Sequence, residues 1–444
     1  MAQSRIYATE LHYVLLTVAA IALIVKPGSV IRLCLLITLQ LYEVAFRLPE
    51  ISNHWIFTTF VNLTILQALL YLIFKSKSLR VNKETLIRTF APVVRIELLL
   101  LYFFVVLHKL NWGFFSTDYS CAGFLYKAQN ANSLLPTSST FLLLNIYLTI
   151  IIELLIPVLL IFRKTRNTGL LIGLVFHCVI AFNSFNGFYD FSGMIFALYF
   201  LFTSYAFSNT VYETYQKLVA KRHALKKQFS QFNLRNIVAV AASVLIALVL
   251  LLVISKKFSD YFRVVWGVYS LLFILLFLRS LFRKSPSPTS PTPAFRPPAA
   301  AFALFPALVI LNAICPYIGL KTESSFAMFS NLRTENGTTN HFFIPTSAQV
   351  FSYQKDMVEI VFSSDPKLQK VADEQKLMTF FQFRNHVATA RPARVEYIRH
   401  GERRTFDLAT AAANDELLRK SSVVLRKLLG FRAITKTEPQ PCQH

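Results

Sequence analysis

The sequence predicts an all-α polytopic membrane protein, with about ten transmembrane helices followed by a small extracytoplasmic α+β C-terminal domain. Three observations carry that prediction. Hydrophobic residues make up 54% of the chain and charged residues only 16%, with a mean hydropathy of +0.48; this leaves too little polar surface to coat a water-soluble fold of 444 residues. The apolar residues, 42 Phe among them, gather into runs close to membrane-spanning length. The basic residues between those runs concentrate in alternate loops.

The apolar runs lie at 11–26, 29–46, 54–75, 91–110, 140–162, 168–187, 191–209, 236–255, 263–282 and 299–320. They divide the chain into a multi-helix membrane domain, 1–320, and a tail, 321–444. The first run is read as a retained helix rather than a signal peptide, because Glu10 accompanies Arg5 ahead of it and the run continues past its small residues. With the N-terminus outside, 20 Lys and Arg fall in cytoplasmic loops against 7 in outside segments, which places the tail outside the cytoplasm. The net charge of +23 divides into +18 for 1–320 and +5 for 321–444. The excess thus sits in short loops facing lipid headgroups, and nucleic acid is not an expected partner.

Two cytoplasmic loops have a character of their own. Residues 284–298, rich in Pro, Ser and Thr, read as an extended tether, and 210–235 as a basic amphipathic helix on the inner leaflet. In the tail, 349–353 and 357–362 alternate like strands, and 394–398 and 405–408 flank a hairpin turn at His400-Gly401-Glu402. Leucines at helical spacing predict a helix over 415–429, stopped by Gly430. Asn336-Gly337-Thr338 fits a glycosylation acceptor. The five Cys form no C-x-x-C pair; Cys121 and Cys315 share a side of the membrane, a topology that allows a disulfide between them.

Charges inside spans cost about 2.5 kcal/mol or more near the bilayer centre, so intramembrane ionisable residues are the functional candidates. They are Glu43, Arg47, His54, Arg95, Glu97, His108, Lys109, Glu153, His177 and Asp190. His54, His108, Lys109 and 183–190, with Asn183 and Asp190, approach the outer face from three separate segments. Glu97 lies about three turns before His108 and shares its helical face. Each also has a plainer reading. Lys109 can snorkel to headgroups, His177 can bond a neighbouring helix, and Glu153 can pair with Arg or His or stay protonated. Glu43 and Arg47, four apart, are expected to pair. Arg95 and His54, the latter beside Trp55, fit interfacial anchors. No nucleotide-binding, hydrolase or metal-ligand motif is present, and no metal site is expected.

Three strings add a family likeness: 102–122 (YFFVVLHKLNWGFFSTDYSCA), 176–202 (FHCVIAFNSFNGFYDFSGMIFALYFLF) and 326–345 (FAMFSNLRTENGTTNHFFIP). Together they resemble the horizontally transferred transmembrane (HTTM) domain family, which includes the vitamin K-dependent γ-glutamyl carboxylases. The resemblance implies a reaction in which oxygenation of reduced vitamin K, or another quinol, generates a strong base that abstracts a proton before carbon dioxide is taken up. It aligns Lys109 with the lysine that deprotonates the hydroquinone, and Asn53-His54, His177 and Asp190-Phe191-Ser192 with further family motifs. His54, His108 and His177 are then proton-transfer partners of Lys109, and Glu97, Glu153, Asn183 and Asp190 line the cofactor pocket. The tail of about 120 residues is far shorter than the carboxylases' lumenal region. That shortness counts against a peptide-glutamate substrate; the expected partners are the lipid bilayer, a quinol and a lipid-like or peptide substrate. The alternative is a non-catalytic membrane scaffold, or a lipid- or quinone-binding protein with a partner-binding tail. In either case 326–345 is too apolar to stand free, and Phe326, Met328, Phe329 and Phe342 are expected to pack on the outer helix ends.

Overall fold

The computed structural model describes residues 11–130, 135–185, 187–228, 258–282 and 295–442. Helices dominate up to residue 318: α1 (Leu11–Val25), α2 (Val30–Arg47), α3 (Asn53–Ser76), α4 (Lys83–His108), α5 (Cys121–Gln129), α6 (Ser139–Ile161), α7 (Arg166–Ile180), α8 (Tyr189–Phe200), α9 (Tyr205–Gln228), α10 (Phe258–Leu281) and α11 (Leu304–Ile318). Among the described residues, five helical segments are long and apolar enough to cross a membrane: Asn53–Ser76, Lys83–His108, Ser139–Ile161, Arg263–Leu281 and Ala300–Ile318. Five of the expected ten runs thus meet that standard by length and composition among the described residues. α1 and α7 are apolar but short, and α2 carries Arg32, Gln40, Glu43 and Arg47 along its 18 residues. The run 191–209 breaks after Phe200 before α9 begins. The run 236–255 lies outside the described residues, as does most of the tether at 284–298.

The chain divides into two compact units, one containing Val158–Thr292 and the other Ser4–Pro157 with Pro293–His444; the division falls within α6 at Pro157. In the first unit, Phe196 packs edge-on and Phe207 tilted against Phe273 of α10, and Trp266 Nε1 donates to the Cys178 carbonyl at 3.3 Å. Gly173 of α7 lets α8 approach closely: a Cβ there would meet the Tyr199 hydroxyl at 2.3 Å.

In the second unit, α2, α3 and α4 pack in sequence and α11 lies against α3 and α4. α4 starts because Asn82 caps it, accepting from the Glu84 and Thr85 amides at 2.9 and 3.2 Å. It ends where Asn111 folds back and donates to the His108 carbonyl at 2.8 Å, satisfying one of the acceptors a helix end leaves open.

The same unit holds the tail, whose sheet is antiparallel throughout in the order β4-β3-β1-β2-β5, from β1 (Met357–Ser363), β2 (Lys376–Thr379), β3 (Arg394–Arg399), β4 (Glu402–Asp407) and β5 (Ile434–Thr435). Its core gathers Val358, Ile360, Val395 and Phe406 from the strands with Leu368 of α12 (Pro366–Asp373) and Phe383 of α13 (Phe380–Ala390). The expected hairpin forms, its turn built on His400 and Gly401 at φ 54° and 80°.

Two tail expectations fail. Residues 349–353 form turns rather than a strand: the buried Gln349 side chain is spent on the Thr334 carbonyl at 2.5 Å, and the Phe351 amide bonds the Ile318 carbonyl at the end of α11. The helix expected over 415–429 splits into a 3₁₀ turn, Glu416–Leu418, and the short α14 (Val423–Leu428). Asp415 and Ser422 each cap the turn that follows them, and a side chain that caps well starts a new turn in preference to continuing an old one. Gly430 therefore stops no long helix. Its carbonyl accepts from the Thr322 and Glu323 amides, and a Cβ there would sit 3.0 Å from Glu323 Cβ and 3.2 Å from Pro49 Cβ.

The disulfide expectation is also corrected. Cys121 bonds Cys442, with Cα atoms 4.9 Å apart, while Cys315 is a buried free thiol of α11 whose Sγ faces the Leu311 carbonyl. A pairing to the penultimate segment of the tail left no trace in the apolar pattern.

Candidate functional site

The C-terminal end of α4 delivers His108 and Lys109 side by side, both buried. Lys109 does not snorkel. Its Nζ donates to Oε1 of Glu153 on α6 at 2.5 Å and also contacts Oε2. It lies 5.7 Å above the Phe114 ring. Glu153, for which Arg, His or a proton had been the expected partners, takes Lys109 instead. The two side chains are mostly buried and close to each other, the arrangement that offsets part of the desolvation cost of each.

Around this pair the chain builds a polar seam from 108–122 and 326–345. Asn111 donates to the Ser330 carbonyl at 2.7 Å and accepts from the Phe114 amide at 2.9 Å. Asn331 accepts from the Cys121 amide at 2.7 Å and donates to the Tyr119 carbonyl at 2.8 Å. Asn340 donates to the Asn331 carbonyl at 2.8 Å and accepts from the Arg333 amide at 2.8 Å. The three asparagines meet over Gly113, where a Cβ would fall 3.1 to 3.4 Å from side-chain atoms of all three. A side chain there would have to push these hydrogen-bonded groups aside by a few tenths of an ångström.

Two histidines complete the seam. His108 Nδ1 is 2.8 Å from the Tyr317 hydroxyl of α11. His341 Nε2 faces the Leu107 carbonyl at 3.0 Å and so carries the proton, while Nδ1 accepts from the Phe343 and Ile344 amides at 3.1 and 3.0 Å. Burial holds the His341 imidazole below its ordinary pKa, so the ring is neutral in this arrangement. Beyond the seam, Arg432 forms a buried ion pair with Glu335 at 2.9 Å and reaches the Leu332 carbonyl.

An aromatic rim lies next to the pair. Phe115 packs on Tyr147 of α6 and on Phe342, with ring centroids 5.5 and 5.6 Å apart, and Phe342 meets Trp112 edge-on at 4.7 Å. Trp112 and Tyr147 are exposed at the protein surface.

The remaining sequence candidates divide by location. Glu97 is wholly buried three turns inside α4, where its Oε1 accepts from Thr64 of α3 at 2.5 Å; this is a second polar locus, apart from Lys109. His54 is half-buried in the first turn of α3, and its neighbour Asn53 accepts from the Phe326 amide at 2.5 Å, fastening the tail. His177, Asn183 and Asp190 belong to the other unit. There His177 lies among Phe176, Phe191 and Tyr199, while Asn183 and Asp190 accept from the Phe185 and Phe191 amides at 3.0 and 2.8 Å. Glu43 and Arg47 pair at 3.7 Å as expected, and His12 joins Glu43 at 3.1 Å.

Sequence reasoning missed Tyr317, His341, Asn331 and Asn340. The last three lie in the 326–345 string that carried the family likeness; Tyr317 gives no signal beyond an aromatic in an apolar run. Among the described residues no cluster of three or more His, Cys, Asp or Glu is arranged to hold a metal ion. Compared with known proteins, the chain finds no matching family model, no matching curated protein and no matching solved structure.

Proposed function

We propose that this is a multi-pass integral membrane protein that receives a quinol-like molecule from the bilayer at the Lys109–Glu153 pair and handles the proton of its hydroxyl group. The observation that supports this reading is the buried ion pair itself, flanked by aromatic rings that suit a planar ligand. A buried lysine whose charge is already matched by a carboxylate is a poor base. The division of labour therefore changes from that expected of Lys109 alone: Glu153 accepts the proton at a carboxylate oxygen, and the Lys109 ammonium, left without its counter-charge, stabilises the negative charge that develops on the ligand oxygen. His108, through Tyr317, sits beside the pair as a second proton-handling group. By its resemblance to the HTTM family, the chain would couple reduced vitamin K or another quinol to carboxylation or a related proton abstraction. The Lys and Arg asymmetry supports the wider topology, ten spans with the tail extracytoplasmic, which fusion reporters at Pro291 and after His444 would test by appearing on opposite sides.

The scaffold reading keeps one observation of its own: Lys109 and Glu153 satisfy each other and can join α4 to α6 without chemistry. Quinol consumption in nanodiscs distinguishes the readings. Glu153→Gln should abolish turnover and Lys109→Arg should retain a fraction of it. Abolition by Lys109→Arg with activity kept in Glu153→Gln would make Lys109 the base. No turnover in the wild type, together with no quinone found by mass spectrometry of co-purifying lipids, would leave the scaffold.

A further inference from the structure

We propose that α14 is a membrane-interface anchor, so that the tail rests on the lipid surface of the same bilayer its helices enter. α14 presents Val423, Val424, Leu425 and Leu428 outward, with Val424 65% and Leu428 54% exposed, whereas its next residues Leu429 and Phe431 turn inward against Phe381. A six-residue helix with this many uncovered aliphatic side chains is out of place in water.

Its position says what covers it. Lys427 Nζ donates to the carbonyl of Phe46 at 2.6 Å, in the last turn of α2, and Gly430 packs on Pro49 in the loop between α2 and α3. Tyr42 and Phe46, on α2 itself, are each 56% exposed. The aliphatic face of α14 therefore continues the exposed apolar surface of the helix bundle at the level where that bundle ends. Arg419 and Lys420 are exposed just before the helix, at the height where anionic headgroups would meet them, while Arg426 and Lys427 within it are half-buried and donate to the Ser421 and Phe46 carbonyls. Apolar side chains inward and basic residues at the rim are the composition of a helix lying in an interface. At the end of α4 the same arrangement recurs in a different residue type, with Trp112 72% and Phe343 73% exposed.

The occupant is thus the outer lipid of the bilayer rather than a partner protein. The test uses the full-length chain in phosphatidylcholine–phosphatidylserine nanodiscs, with Cys34, Cys178 and Cys315 replaced by Ala and one nitroxide label at Val424→Cys, Leu428→Cys or, as a control on the exposed side of α12, Lys367→Cys. Dissolved oxygen, which concentrates in lipid, should relax the labels at 424 and 428 several-fold more than a water-soluble nickel complex does, and the order should reverse at 367. Labels at 424 and 428 that respond to nickel as the control does would overturn the proposal. Shielding from both reagents would replace lipid with a protein partner and overturn it equally.

Discussion

The tail is held in place in two unlike ways. Its sheet coheres through apolar burial among Val358, Ile360, Phe383, Val395 and Phe406, while residues 326–345 are bound to the end of α4 and the segment that follows it by asparagine side chains, a histidine and backbone groups. Burial is non-directional and accepts a change of shape if volume is kept. A hydrogen-bonded seam accepts neither a shift of an ångström nor a lost donor, because each orphaned group keeps its desolvation cost. The rigid, directional joint is the one that stands next to Lys109. A site that must hold charge in a fixed geometry is better supported by such a joint than by a packed apolar surface.

The largest effect should come from breaking the pair within this joint. Lys109→Ala leaves Glu153 buried without its counter-charge and should cost about 3–5 kcal/mol. Lys109→Met combined with Glu153→Leu should recover most of that loss, measured by thermal unfolding in detergent. A double variant no more stable than the single one would show that the pair does more for folding than neutralise itself. In the sheet, Phe383→Ala should cost about 3–5 kcal/mol through the cavity it opens. Phe383→Leu should recover much of it, as a volume effect requires.

Within the seam, Asn340→Ala should cost about 1–3 kcal/mol, and Asn340→Asp should rescue little, since the bond to the Asn331 carbonyl needs a donor. Equal stability of Asn340→Asp and wild type would argue against a directional joint.

Acid should separate the two regions. His341 has its pKa lowered by burial from an ordinary value of 6.5. The unfolded ring takes up a proton below that value when the folded ring does not, so the seam should lose stability as pH falls below about 6.5. In the sheet domain, burial pulls the Asp365 pKa up, but bonds from the Leu368 amide and His386 outweigh it and leave it below 3.8. Its stabilisation is present above that value and disappears only as pH falls further. Amide protection of Phe343 and Ile344, corrected for intrinsic exchange, should therefore fall between pH 7.5 and 5.5 while that of β1 holds. The smallest effect should be that of Asp365→Ala, about 1 kcal/mol for a lost helix cap.

What the sequence disclosed follows from what repeats. Apolar runs and the alternation around His400-Gly401 involve many residues obeying one rule, so the helices and the hairpin were legible. The buried ionisable residues stood out against their surroundings, and the cost of burying them marked Lys109, Glu153 and His108 before any geometry was known. Partners were not legible. Glu153 finds Lys109 across 44 positions and Asn331 finds Cys121 across 210, and nothing local distinguishes an asparagine that closes a seam from one in a loop. The number of membrane spans was hard to read for a similar reason. Gln40, Glu43 and Arg47 are tolerable in α2 because His12 and Asn62 meet two of them, and hydropathy alone cannot register such partners.

The bond between Cys121 and Cys442 joins positions 321 residues apart. The polypeptide from α5 to the end of the tail is thereby a closed covalent ring. A single cut anywhere within it, including the proline-rich stretch at 284–298, opens the ring without releasing a fragment. Such a nicked molecule should migrate as one species on a denaturing gel without reductant and as two with it. Excision of the tail then takes reduction or a second cut ahead of Cys442, so the segment over the end of α4 survives a single break in the loop that leads to it.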